Sequence, residues 1–185
     1  MARLMNIALP GTEPAAVGFE TPLAMLAECH RRVEDQCATL QRLVPHLAAH
    51  GVDRAAAEAA AAVLRYFDLA GPKHHADEEE DLFPALFESV AGSDAVCLRE
   101  LTEALKAQHR EFEWRWAALR GPLAEIAAGR AAPLDAPAVA AFGTLYAEHI
   151  AREEGELLPL AQRLLADTVQ ADIGRAMRQR RGAPG

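Results

Sequence analysis

Five of the seven histidines in this chain are followed by glutamate one helical turn later: His30/Glu34, His74/Glu78, His75/Glu79, His109/Glu113 and His149/Glu153. Glutamate fills about one position in ten, so chance supplies about one such pair. Residues four apart lie on one face of a helix, so each His-x-x-x-Glu points an imidazole and a carboxylate at the same place. The pairs fall on four separate helical stretches. A chain that repeats this arrangement is constrained to bring those stretches together around a polar centre, the layout of a metal site inside a helix bundle.

The spacing of apolar residues places the pairs in that bundle. Thr21-Pro22 reads as a helix start, and the first stretch runs to about Leu47. Its seam is Leu23, Leu26, His30, Val33, Cys37, Leu40, Val44 and Leu47, in alternating steps of three and four. Asp53 caps a second stretch with the seam Val63, Phe67, Ala70, His74, Glu78, Leu82 and Ala85. Gly71-Pro72 lies inside it and predicts a kink or break just before the histidine pair. Ser93 or Asp94 caps a third stretch, Leu98, Leu101, Leu105, His109, Phe112, Trp116, Leu119, Leu123 and Ile126. After a loop over 129–137, Asp135 caps a fourth: Val139, Phe142, Tyr146, His149, Glu153, Leu157, Leu160 and Leu164. A short fifth helix is expected over 168–180. The expected fold is all-α: an antiparallel up-down-up-down four-helix bundle over 20–166, preceded by an arm over 1–19 and followed by a short helix and basic tail over 167–185.

Seam phase also sorts the polar candidates. In the second and fourth stretches the seam steps from histidine to glutamate, so Glu78 and Glu153 replace core residues. A buried carboxylate needs a partner, and a cation is the natural one. In the first and third stretches the seam steps to Val33 and Phe112, leaving Glu34 and Glu113 on the flank. His74 and His75 compete for one role. An internal echo favours His74: the run from His74 to Pro84 matches the run from His149 to Pro159, with Ile150 opposite His75. His30-Arg-Arg-Val-Glu likewise matches His109-Arg-Glu-Phe-Glu, so two similar hairpins should face each other across a pseudo-two-fold axis. Glu79 and Glu154 then fall beside the seam, as helix-surface groups or as outer supports of the ligands. The candidate metal ligands are His30, His74, Glu78, His109, His149 and Glu153. Four imidazoles and two carboxylates suit a pair of iron ions better than a lone zinc, which needs only three protein ligands at a catalytic site.

Composition narrows the remaining classes. A net charge of −8 and a pI near 5.4 argue against nucleic acid or a membrane surface as partner. Three cysteines without paired spacing suggest reduced thiols and a cytoplasmic protein. No run approaches the ~18 apolar residues of a membrane span. Arg175, Arg178, Arg180 and Arg181 form a basic tail that reads as a complement to the last helix dipole.

Over residues 20–166 the pattern H…HxxxE…H…HxxxE resembles the hemerythrin family, specifically the bacterial hemerythrin-like HHE cation-binding domains. The anchors are His30, the His74-His75-Ala-Asp-Glu78-Glu79-Glu-Asp-Leu-Phe-Pro84 block, His109, and His149-Ile-Ala-Arg-Glu153-Glu154. The resemblance implies a non-haem pair of iron ions, with His30 and His74 on one, His109 and His149 on the other, and Glu78 and Glu153 bridging. It further implies a small ligand, either a diatomic such as dioxygen or nitric oxide, or peroxide. The expected function is binding or sensing of dioxygen or related small oxidants. The alternatives are an enzyme consuming peroxide or nitric oxide at the same centre, and a metal-stabilised interaction module. Two residues depart from the oxygen-carrying members. Those carry a further histidine where this chain has Glu113, and a final aspartate five residues after its histidine where this chain has Glu153 four residues after.

Overall fold

The computed structural model describes residues 17–184; most of the expected N-terminal arm therefore lies outside the described residues. The described residues are helical, with no strand among them. The elements are α1 (Pro22–His50), α2 (Arg54–Ala76), a π-helical segment (Asp77–Leu82), α3 (Phe83–Ser89), α4 (Ser93–Ala127), α5 (Ala136–Arg152), a second π-helical segment (Glu153–Leu157), α6 (Leu158–Leu164) and α7 (Asp167–Arg180). α2 packs on α1 and α4, and α5 packs on the same two, so the four long helices close a ring.

Local chemistry explains most boundaries. Asp53 and Asp135 cap α2 and α5, accepting from the backbone N–H of Ala56 (2.8 Å) and Ala138 (3.0 Å). Gly51 ends α1 at φ 68°, a conformation that costs glycine nothing. Thr21 stands at the N-cap of α1, but its hydroxyl turns back to Gly18 instead of capping. The cap of α4 is Gly92, at φ 64°, rather than Ser93 or Asp94.

Of the kink or break expected at Gly71-Pro72, there is no break: α2 is continuous from Arg54 to Ala76 with Pro72 inside it. The departure from α geometry comes after the histidines, at Asp77–Leu82, and recurs at Glu153–Leu157. In both places the ladder widens to a five-residue step: Phe83 N–H donates to the Glu78 carbonyl, and Leu158 N–H to the Glu153 carbonyl. In both places a proline follows, Pro84 and Pro159. A proline has no N–H and its ring clashes with the carbonyl four residues back, which a single wide turn relieves. The extra residue shifts the seam by one. Beyond the wide turns Leu86, Ala161 and Leu165 are buried, along with Phe83, where an unbroken α period predicted Ala85, Leu160 and Leu164.

The core divides into two apolar clusters. One holds Val33, Phe67, Phe112, Phe142 and Tyr146; the other holds Leu26, Leu82, Leu105, Leu157 and Ile173. Each fully buried side chain of this kind contributes ~1.5–3 kcal/mol. The chain passes from one cluster to the other near each of the four histidines, within α1 and α4 and at the π-helical segments that follow α2 and α5. α1 and α4 run from the second cluster toward the first; α2 and α5 run the opposite way. The six candidate ligands form the layer between.

α7 covers one end of that layer, packing on α1 and on the first π-helical segment. Its Gly174 lies against the backbone of Phe19, where any Cβ would collide with the carbonyl oxygen. Gly174→Ala is expected to cost ~1–3 kcal/mol in urea unfolding. Gly121→Ala on α4, where a Cβ meets nothing within 4 Å, should be neutral or gain up to ~1 kcal/mol.

Candidate metal centre

Each ligand candidate reaches the centre because its helix seam does. His30 on α1, His74 on α2, His109 on α4 and His149 on α5 are buried, and Glu78 and Glu153 are buried completely. They form two four-residue groups, His30–His74–Glu78–Glu153 and Glu78–His109–His149–Glu153, with the donor atoms of each group within 4.8 Å of one another. Both carboxylates belong to both groups.

All four Nε2 atoms face the two carboxylates. His30 Nε2 lies 3.0 Å from Glu153 Oε2, and His149 Nε2 lies 3.2 Å from Glu153 Oε1. His74 and His109 Nε2 each lie 3.3 Å from an oxygen of Glu78. Yet all four carboxylate oxygens and His30 Nε2 lack a partner in hydrogen-bond geometry. His109 and His149 also oppose their Nε2 atoms at 3.3 Å.

The outer nitrogens decide what those inner atoms carry. His30 Nδ1 donates to Glu154 Oε1 (3.0 Å), His109 Nδ1 donates to Glu79 Oε1 (2.6 Å), and His149 Nδ1 donates to Gln108 Oε1 (3.1 Å). A carboxylate or amide oxygen can only accept, so Nδ1 bears the proton and a neutral ring turns its Nε2 lone pair inward. Lone pairs aimed at lone pairs and at carboxylates repel one another. Positive charge at the centre turns that repulsion into coordination, so the donor set fits a pair of cations.

Without cations, protons must fill the role. Burial raises Glu78 well above the ordinary carboxylate range, and the neighbouring Glu153 charge raises it further. Burial would lift Glu153 too, but contacts with His149 and His30 hold it well below that range. The pair therefore shares a proton, as like charges in a dry site must. Burial lowers His30, but the Glu153 contact outweighs it and the imidazole ends at about 9. His74, whose carboxylate contact is with Glu78 rather than Glu153, is pushed down by burial to about 3.

The flanking candidates stay out. Glu34 and Glu113 are exposed and belong to neither four-residue group. His75 is also outside; its ring stacks on His109 at 4.0 Å between centroids. Tyr146 is core, stacked on Phe112 at 3.7 Å. Cys29, Cys37 and Cys97 are free thiols.

The basic tail is the clearest revision. Arg180 binds Asp77 Oδ1 (2.5 Å), Asp81 Oδ2 (2.7 Å) and Glu80 Oε2 (2.8 Å); Arg181 binds both Asp77 oxygens (2.5 and 3.0 Å). Arg178 pairs with Glu20, and Arg175 with Asp172. Asp77 is fully buried one residue before Glu78, so the tail clamps the wide turn that presents that carboxylate. Spacing within the tail gave no sign of this, since its partners lie about a hundred residues away. The one available hint was Asp77 itself, an acid directly beside the seam position Glu78.

A family model described as the hemerythrin HHE cation binding domain matches residues 21–161. A protein of Haemophilus influenzae, described as uncharacterized, is 32% identical over 163 residues, covering 88% of this chain and 91% of its own length. Among the described residues no helix is long and apolar enough to cross a membrane.

Two outcomes follow for the cation-free protein. Removing both clamp arginines (Arg180→Ala with Arg181→Ala) leaves Asp77 buried and unpaired, and should cost ~3–5 kcal/mol in chemical denaturation. The His30 contribution has a definite sign. Its folded pKa of about 9 lies above the ordinary imidazole value of 6.5, so its stabilisation is full below 6.5 and is lost as pH rises through 9. Unfolding midpoints measured across that window should fall, and His30→Ala should flatten the decline.

Proposed function

Because the chain belongs to the hemerythrin HHE cation-binding domain family, we propose that it binds two iron ions between its helices and binds or senses dioxygen or a related small oxidant there. His30 and His74 hold one ion, His109 and His149 the other, and Glu78 and Glu153 bridge them. The frame is an antiparallel up-down-up-down four-helix bundle, with α7 as a short extra C-terminal helix. The reversal of chain direction between the two apolar clusters in successive long helices supports that frame. The observation that carries the proposal is the pair of four-donor groups sharing both carboxylates, with three of the four histidines held to the ligating tautomer from outside.

Imidazole with shared carboxylate suits redox-active transition metals, and iron would supply electron transfer to a bound oxidant. The chain contributes the rest. Its carboxylates offset the cation charge, its outer acceptors orient the imidazoles, and its two apolar clusters exclude bulk water. Beside His75 lies a cavity of about 60 Å³ lined by Phe67, Phe112, Glu113, Trp116 and Tyr146. It has room for a few water-sized molecules and none for a metabolite, which supports a diatomic or peroxide ligand. The free thiols agree with a reducing, cytoplasmic setting.

A second reading, turnover of peroxide or nitric oxide, is favoured by one observation. Glu113 is exposed and outside both donor groups, so each ion has two histidines and two shared carboxylates, which leaves coordination positions open. Steady-state peroxide consumption, with Glu78→Ala as control, separates it from simple binding.

Protein purified in air without nickel affinity resin should contain close to two irons per chain; one zinc or no metal overturns the proposal. Glu79→Ala and Glu154→Ala remove only outer acceptors, and each should weaken metal binding ~10–100-fold while the six ligands remain. Glu78→Ala should abolish binding of the pair. Competition with a chromogenic chelator measures all three.

A further inference from the structure

The echo between the two halves of the chain extends to the outer supports. His30 on α1 donates to Glu154 after α5, and His109 on α4 donates to Glu79 after α2. These contacts are mates: Glu79 follows His74 by five residues, as Glu154 follows His149. The remaining two histidines should be supported alike. His149 donates to Gln108, the residue just before His109. The corresponding residue just before His30 is Cys29, and the corresponding histidine is His74. There the pattern breaks. His74 Nδ1 is buried with no hydrogen-bond partner among the described residues.

Residue 29 occupies the matching place. Its backbone carbonyl accepts from the Tyr66 hydroxyl of α2 at 3.2 Å. Its side chain shares a cavity of about 230 Å³ with Ala70 and Lys73 of α2 and with Arg181. A glutamine there would have room, and α2 would be within its reach. A cysteine is too short and too weak an acceptor to serve. An imidazole whose outer N–H is bound has a fixed tautomer, a fixed ring plane and a more basic inner nitrogen; one whose outer N–H is unbound has none of these.

We propose that the two cation positions are unequal, and that the ion on His30 and His74 exchanges first because Cys29 leaves His74 unsupported where Gln108 supports His149. The centre then has one held ion and one exchangeable ion, although its six ligands are symmetric. Gln108 is a positioning residue, and Cys29 marks the place where its counterpart is missing. This inference rests on the two-cation reading above, and its test separates the two.

Full-length apoprotein is loaded with cobalt(II), and the bound stoichiometry is measured before excess chelator is added. Release is then followed by the visible absorption of the bound ion. The wild type should release two ions in two equal phases whose rates differ about 10–100-fold. Cys29→Gln should slow the fast phase toward the slow one and leave the slow phase alone. Gln108→Cys should speed the slow phase toward the fast one; it keeps the inference falsifiable if the first variant fails to fold. Two ions leaving at a single rate, or two phases that neither substitution moves, overturns the inequality while the two-cation reading stands. Failure to bind two ions overturns both.

Discussion

Two carboxylates, Glu78 and Glu153, face each other in a dry layer between two apolar clusters, and most of the polar structure answers that placement. The four imidazoles turn their inner nitrogens toward it. Glu79, Glu154 and Gln108 hold three of those rings from behind. The clamp on Asp77 fixes the turn that carries Glu78. In a solvated setting none of this would be required, because water would satisfy each group. Burial makes the carboxylates expensive, and bound cations would meet that cost at the same atoms.

The sequence and the structure agree where chemistry and period coincide. The steps of three and four placed His30, His74, His109 and His149 on seams, and those four are buried together. The same phase put Glu34 and Glu113 outside, where they are exposed. The echo separated His74 from His75, which lies on the neighbouring face and stacks on His109. Some disagreements arise where the period itself changes; others are one-residue shifts inside regular helix, with Leu43, Gly71 and Thr102 buried where Val44, Ala70 and Leu101 were expected. An unbroken α seam predicted Ala85, Leu160 and Leu164; the wide turns moved burial to Leu86, Ala161 and Leu165. The signal was present in Pro84 and Pro159, each at the same offset from its histidine. At Gly71-Pro72, where a kink or break was expected, α2 stays continuous. Long-range pairing was the other gap. Nothing periodic links Arg180 and Arg181 to Asp77, so the tail read only as a complement to the last helix dipole.

The two halves are alike in their ligands and unlike in their surroundings. The turn carrying Glu78 is clamped by arginines through Asp77, whereas the matching position before Glu153 is Arg152, which is exposed. His149 has Gln108, and His74 has no counterpart. The halves thus keep in common what binds charge and differ in what restrains it. A near-symmetric pair of binding positions can diverge in behaviour in this way without altering a ligand, since the stiffness of a site resides in the groups behind it.

The clamp also has a consequence for assembly in time. Asp77 and Arg180 are separated by 103 positions. During synthesis at about 5–20 residues per second, Asp77 emerges on the order of 5–20 s before the base that neutralises it. All six ligands are translated before α7 is. A nascent chain can therefore present its histidines to the surrounding ions while the turn under Glu78 still lacks its clamp. Closure by α7 comes after that exposure, so the order of translation favours ion entry first and a sealed centre second.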